Sequence, residues 1–416
     1  MNWQRVTRFL GVLAAGLIWQ SAGFAQPILF PNFSSTAGLT LNSSSTTTNS
    51  VSSDGTILRL VGTTTASQAG SAFTNSTVKV TTGFSTSFNF RLTSRGGSSD
   101  GIAAGADGLV FVLQRQGPTA LGGTGELLGY GGIGSSVGVE FDTFKNSNRG
   151  DPSSNHLGVN TGGSVESLVT ANVAPDFDSS AANGPKWTAW VDYNGTVLEV
   201  RVSNDGIRPT SALLSQSINL ATTLGGDSAY LGFTAATGGA EANHDLLTWA
   251  FSNAYAATGV TLFQWSGTGS WTNTAKWNPA VVPGAADVAY VASGTATVSS
   301  NSTLGLLNFS GGTLDGTGAL TLAQSGSTWS GGDLSGLTLN ANGSLAISTS
   351  SAKRILGSAH LNLSDATTWS EGTIQTGSGA EITNTGAFTT SFDGTVTSDP
   401  SGTRGTFRNQ GSFTKT

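Results

Sequence analysis

The stretch "SVGVEFDTFKNSNRGDPSSNH", Ser136–His156, decides how the first half of the chain is read. Glu140 and Asp142 stand two apart after "SVGV", so a strand projects both to one face. Asp151 and His156 follow after a turn-rich run that also holds Asn146, Asn148 and Asn155. The chain has only 3 histidines, and one is placed among these carboxylates and amides. A polar surface loop is one reading and a metal cradle is the other. Carboxylates with one imidazole suit a transition ion such as Mn²⁺. Asp142, Asn146, Asp151 and a backbone carbonyl offer oxygen alone, which suits Ca²⁺. Asp142 and Asp151 are placed to bridge two such ions.

Composition sets the surroundings of this stretch. The 416 residues are enough for two or three domains. Only 10% are charged, 58 are Gly, and Ser, Thr and Asn crowd nearly every segment. That mixture favours short strands joined by Gly, Asn and Asp turns. With 37% hydrophobic residues and 10 Trp the chain does not read as disordered. A net charge of -6 argues against a nucleic-acid partner. There is no Cys, so no disulfide can staple the loops. The opening "MNWQRVTRFLGVLAAGLIWQSAGFAQ" has Arg5 and Arg8, an apolar run from Phe9 to Trp19, and small Gly23 and Ala25. It reads as a signal peptide over 1–25, which implies export to the medium or the cell surface and no transmembrane helix after cleavage.

Residues 26–254 read as one antiparallel β-sandwich. "FSTSFNFRL", Phe84–Leu92, puts Phe84, Phe88, Phe90 and Leu92 on one face. "GLVFVLQ", Gly108–Gln114, is apolar enough to be covered on both faces. "AWVDYNGTVLEVRV", Ala189–Val202, predicts a hairpin with Asn194-Gly195 in a type I′ turn. From about residue 255 the texture changes. Trp265, Trp271 and Trp277 are six apart, and a Gly/Ser/Thr/Leu tract follows. "STWSGGDL" at Ser327 echoes "TTWSEGTI" at Thr367, and Phe309 precedes Trp329 by 20 residues. A period near 20 predicts stacked rungs of a parallel β-helix over 255–416.

The metal loop resembles that of the legume-type (L-type) lectins, whose pattern is V-E-x-D-T-[FY]-x-N followed by D-P and H. This chain carries "VEFDTFKN", "DP" and "H" without a gap. "FSTSFNF", "ADGLVFVLQ" (Ala106–Gln114), "LGYGGI" and "GFTAATGGAEANHDLLTWAFS" (Gly232–Ser252) resemble other family segments in the same order, as in bacterial members. The resemblance implies an all-β, concanavalin-like jelly-roll sandwich. It implies that Glu140, Asp142, Asp151 and His156 bind Mn²⁺ or another transition ion. Asp142, the Phe144 carbonyl, Asn146 and Asp151 would then bind Ca²⁺. It implies a cis Ala106-Asp107 peptide, with Asp107 accepting from sugar hydroxyls. Phe144 would stack on the sugar ring, Asn146 would donate to it, and backbone near Gly125 and Gly239-Ala240 would complete the site. The expected ligand is a glycan, of the mannose or glucose type.

Two other classes are weighed beside this one. The same sandwich hosts β-glucan hydrolases with E-x-D-x-x-E on one strand. Here "EFDTFK" has Lys145 where the second Glu belongs, so the expectation is a protein that is not an enzyme. The alternative is a structural surface protein or adhesin whose sugar site is lost. The second domain resembles repeats of autotransporter-like surface proteins. It would act as a spacer, with a homo-oligomer supplying avidity.

Overall fold

The computed structural model describes residues 28–44, 48–52, 55–64, 66–101, 104–253, 255–377, 379–399 and 404–416. The predicted signal peptide lies outside them. Residues 28–252 build two eight-stranded antiparallel sheets, each a path of seven strands with one short strand beside it: Val78–Lys79 pairs with Ser228–Ala236 in the first and Ile28–Phe30 with Ala240–Ser252 in the second. One runs Val169–Asn172, His156–Thr161, Ser136–Asp142, Gly108–Gln114, Ser228–Ala236, Ala69–Thr74, Leu39–Ser43. The other runs Leu214–Ser217, Val197–Ser203, Trp187–Tyr193, Phe84–Gly97, Ala240–Ser252, Gly55–Val61, Thr48–Ser52. Their inner faces form the concanavalin-like jelly-roll core.

The predicted apolar face of Phe84–Gly97 is that core. Phe84, Phe88, Phe90 and Leu92 are fully buried. Phe88 meets Phe141 edge-on across the sheets at 5.5 Å and Phe233 at 4.8 Å. Gly108–Gln114 is buried along its whole length. Leu109, Phe111 and Leu113 enter the main core, while Val110 and Val112 enter a second cluster with Leu128, Tyr130 and Ile133. The loop between this strand and Ser136–Asp142 therefore packs as a lid with its own core. That lid explains a strand apolar on both faces.

The predicted hairpin is present, with its turn shifted by one residue. Tyr193 pairs with Leu198, and the Asn194 N–H donates to Val197 O at 3.2 Å. Gly195 and Thr196 are thus the central pair, with φ of +98° at Gly195 and no positive φ at Asn194. A glycine in the first central position belongs to a II′ turn, and not to I′. Asn194 serves as an acceptor instead: its Oδ1 takes the Thr196 and Val197 N–H groups at 3.0 and 2.8 Å.

Residues 262–415 wind into a three-sided parallel β-solenoid, with sheets of nine, seven and six strands among the described residues. Phe309 pairs with Trp329, Trp329 with Ile347, and Ile347 with Trp369. The Trp329–Trp369 echo spans two rungs, and Ile347 fills the position between them. Trp265, Trp271 and Trp277 close the first rung as a packed cluster, with Trp277 edge-on to both others at 4.9 and 4.7 Å. The solenoid meets the outer face of the second sheet. Trp190, turned away from the sandwich core, donates its indole N–H to Thr261 Oγ1 at 2.9 Å. Ala250, Val260, Leu262, Val288 and Leu306 form an apolar seam beside it. No helix among the described residues is long and apolar enough to cross a membrane.

Phe88→Ala removes the ring shared by both sheets. It is expected to lower unfolding stability by about 3–5 kcal/mol, read from the denaturant midpoint of the full chain. A loss below about 1 kcal/mol would show that the core repacks around the gap.

Candidate functional site

Strand register builds the site. Asp142 lies opposite Gly108 on one neighbouring strand and opposite His156 on the other. Residues directly opposite share a face. Val139 and Phe141 point into the core with Leu157 and Val159, so Glu140, Asp142 and His156 emerge together on the other side. The 143–155 loop brings Asp151 back to them. Donor atoms of Asp142, Asp151 and His156 lie within 4.8 Å of one another, and this is the group found among the described residues that can hold a metal ion. Glu140 Oε1 stands 3.5 Å from His156 Nε2, and Asp151 Oδ1 stands 3.7 Å from it.

Proton bookkeeping sharpens the picture. His156 Nδ1 is 3.0 Å from Ser153 O. A carbonyl can only accept, so in the neutral ring Nδ1 carries the proton and Nε2 presents a lone pair. Nε2 is buried without a hydrogen-bond partner. Burial pushes the Asp142 carboxyl well above the usual carboxylate range, with the charges of Glu140 and Asp151 adding to it. Asp151 is raised as well, chiefly by burial. Crowded carboxylates around an unpartnered imidazole lone pair fit a divalent cation, which relieves both deficits.

The remaining groups hold this arrangement. Glu140 accepts from Ser167 Oγ at 2.6 Å and from Asn160 Nδ2. A Cβ at Gly158 would press on Ser167 Oγ and Glu140 Oε1, so any larger residue there would displace this pair. The Phe144 N–H donates to Asp142 Oδ1 at 2.8 Å, and the Asn146 N–H to Asp151 Oδ2 at 2.6 Å. Phe144 and Asn146 are half-buried on the loop immediately beyond Asp142.

Asp107 sits one residue before the strand Gly108–Gln114, and the Ala106-Asp107 peptide is cis. Its N–H donates to Ala236 O at 3.0 Å and its carbonyl accepts from Thr143 N at 2.9 Å. Its Oδ2 is buried without a partner. Burial raises its carboxyl to about 7, with Glu126 contributing. Gly238 packs so closely that a Cβ there would lie 3.3 Å from both Asp107 Oδ2 and Gly125 Cα. Asp107, Gly125 and the Gly239-Ala240 turn are therefore brought together from three segments. The Gly125 N–H, expected to face a ligand, donates to Thr237 O at 3.1 Å.

Several contributors escape sequence reasoning. Asn160 was within reach of it, since it shares the face of His156 four residues on along the same strand. Ser167 and Glu126 arrive from loops with no motif. The two other histidines stand apart: His244 is buried against Ala242 O and pushed down to about 4 by that burial, and His360 is an exposed solenoid residue.

A family model described as "Legume lectin domain" matches residues 26–261. Among curated proteins, the L-type lectin-domain containing receptor kinase I.8 of Arabidopsis thaliana is 35% identical over 130 residues, 29% of this chain and 19% of that protein. The receptor kinase VII.1 of the same plant is 40% identical over 123 residues, 28% of this chain and 18% of that protein. The chain thus spans about a fifth of the length of these relatives. Among solved structures, basic winged bean lectin with Tn-antigen is 25% identical with a TM-score of 0.44, covering 54% of this chain and 96% of that one. Lectin I-B4 from Griffonia simplicifolia in its metal-free form is 25% identical with a TM-score of 0.43, covering 54% and 98%.

His156→Gln is expected to reduce retained Mn²⁺ by more than about tenfold after dialysis, measured by elemental analysis. Ser167→Ala, which frees one oxygen of Glu140, should produce a smaller loss. Retention equal to wild type in His156→Gln would rule out the imidazole as a ligand.

Proposed function

The chain belongs to the legume lectin domain family, and we propose that its first domain binds a glycan at the Asp107 cluster in a site shaped by divalent cations. The observation that carries this reading is the position of Asp142. It lies opposite His156 on the metal side and opposite Gly108, the neighbour of Asp107, on the ligand side.

Glu140, Asp142, Asp151 and His156 would hold a transition ion such as Mn²⁺. Asp142, the Phe144 carbonyl, Asn146 and Asp151 would hold Ca²⁺. Bound there, the ions would supply positive charge that neutralises the crowded carboxylates and would hold the 143–155 loop. The chain's own groups then meet the sugar. Asp107 accepts hydrogen bonds from two hydroxyls through a carboxylate whose Oδ2 has no partner in the protein. Asn146 would donate from its amide nitrogen to a hydroxyl and offer its oxygen to the ion. The Phe144 ring covers the apolar C–H face of the pyranose. Backbone near Gly125 and Gly239-Ala240 closes the rim, with the Gly125 N–H itself committed to Thr237 O. On this reading the site holds the glycan and leaves it chemically unchanged.

Mannose- or glucose-type sugars are the ligand class this reading expects. Export to the medium or the cell surface belongs to the same reading. The solenoid would carry the lectin domain away from a surface, and several copies would supply the avidity that a shallow single site lacks.

A glycan array probed with and without chelator, and with Asp107→Asn, tests the proposal. Losing charged hydrogen bonds to two hydroxyls should weaken binding by about a hundredfold, with circular dichroism unchanged. Chelation should abolish binding, and added Ca²⁺ and Mn²⁺ should restore it. Binding that survives both treatments would sink the mechanism. Release of reducing sugar from β-glucan, lost in Glu140→Gln, would favour a hydrolase.

A further inference from the structure

We infer that Glu126 is a positioning residue that clamps the metal loop to the ligand-side turn, so that the two order as one unit. The inference rests on reading the Asp107 cluster as a glycan site, and it adds a residue outside every motif behind that reading.

The fixed half of the clamp is the turn Gly125–Leu127. Its Gly125 N–H donates to Thr237 O at 3.1 Å, and the Leu128 carbonyl accepts from Thr234 Oγ1 at 2.9 Å. Leu128 is buried in the second core. The turn is thus anchored to the strand Ser228–Ala236 and carries Glu126 outward from a rigid base. The other half is the turn Ser147–Arg149, where Ser147, Asn148 and Gly150 face solvent. Glu126 accepts from Asn148 Nδ2 at 3.1 Å with one oxygen, and from Arg149 Nε at 3.1 Å and Arg149 Nη2 with the other. Hydrogen bonds from Asn148 and Arg149 hold its carboxyl below the usual range, so it is charged at neutral pH.

The clamp reaches the site through one backbone bond. The Arg149 N–H donates to Asn146 O at 2.8 Å. Holding Arg149 therefore holds Asn146, the residue that would serve ion and sugar together. Asn146 in turn ties back to Asp151 through its own N–H. Glu126 also adds to the negative field at Asp107. Pairing with Arg149 offsets that charge, which explains why an acidic residue is tolerated so near an acceptor meant for neutral hydroxyls.

The test uses the full chain with Glu126→Arg, Arg149→Glu and the double swap. Ca²⁺ affinity is read by calorimetry, and glycan affinity is read separately at saturating Ca²⁺. Arg149→Glu places an extra negative charge beside a cation site, so charge alone predicts tighter Ca²⁺. The clamp predicts the reverse. Each single reversal should weaken Ca²⁺ by about three- to tenfold, as expected for a partly exposed pair turned repulsive, and the swap should recover most of the loss. Glycan affinity at saturating Ca²⁺ should change less than Ca²⁺ affinity does. Tighter Ca²⁺ in Arg149→Glu, or a swap no better than the worse single variant, overturns the clamp. Glycan loss at saturating Ca²⁺ in Glu126→Arg and the swap, but not in Arg149→Glu, makes Glu126 a direct sugar contact and also overturns it. Clamp-dependent Ca²⁺ binding without any glycan binding upholds the clamp and removes the lectin reading. A wild-type chain that binds no Ca²⁺ removes both.

Discussion

Three adjacent strands share one register, and the rest of the site hangs on it. Gly108, Asp142 and His156 stand in a row across the sheet. Because side chains alternate, the same register sends Phe141 and Leu157 into the core while it sends Asp142 and His156 out. A slip of one residue would reverse both at once. The apolar core and the acidic cluster are therefore not independent designs: burying Val139 and Phe141 is what forces Glu140 and Asp142 together. That placement is unfavourable by itself: burial first, and then the charges of Glu140 and Asp151, push the Asp142 carboxyl above its ordinary range. Core packing supplies the stabilisation that tolerates it.

The second constraint is the lid over Val110 and Val112. A loop of this length is more often a flexible excursion. Here the buried Tyr130 anchors it from within: its hydroxyl is hydrogen-bonded to Ser136 Oγ at 2.9 Å and accepts from the Gly163 N–H at 3.2 Å. The lid delivers Gly125 and Glu126 to the rim of the Asp107 cluster from a packed base. The site is thus framed on one side by a strand register and on another by a small apolar core. Neither frame depends on the ligand.

What could be read in the chain, and what could not, follows the range of each interaction. The pairs Glu140/Asp142 and Phe88/Phe90 declare themselves through a period of two, which is local. The two-sided strand Gly108–Gln114 was legible from its apolar run, although not the loop that covers it. Ser167 on Glu140 and Arg149 on Glu126 join residues 27 and 23 positions apart, and no periodicity links such partners. The Asn194-Gly195 turn was misplaced by one residue because the Asn side chain satisfies two N–H groups and leaves Gly195 to take the positive φ. The tryptophan echo was visible only at every second rung, since an isoleucine occupies the rung between.

The solenoid differs from the sandwich in how it tolerates change. Each rung pairs only with the rung before and the rung after, as in the series Phe309, Trp329, Ile347 and Trp369. Rungs stack at the spacing of parallel strands, about 4.8 Å. Duplicating or deleting one unit of about 20 residues would alter the length by that step and leave the strand pairing of the more distant rungs intact. The sandwich admits no such edit, because its strands pair across long sequence separations. One half of the molecule is thus built like a ruler, whose length can change by whole rungs without disturbing the strand register of the sandwich.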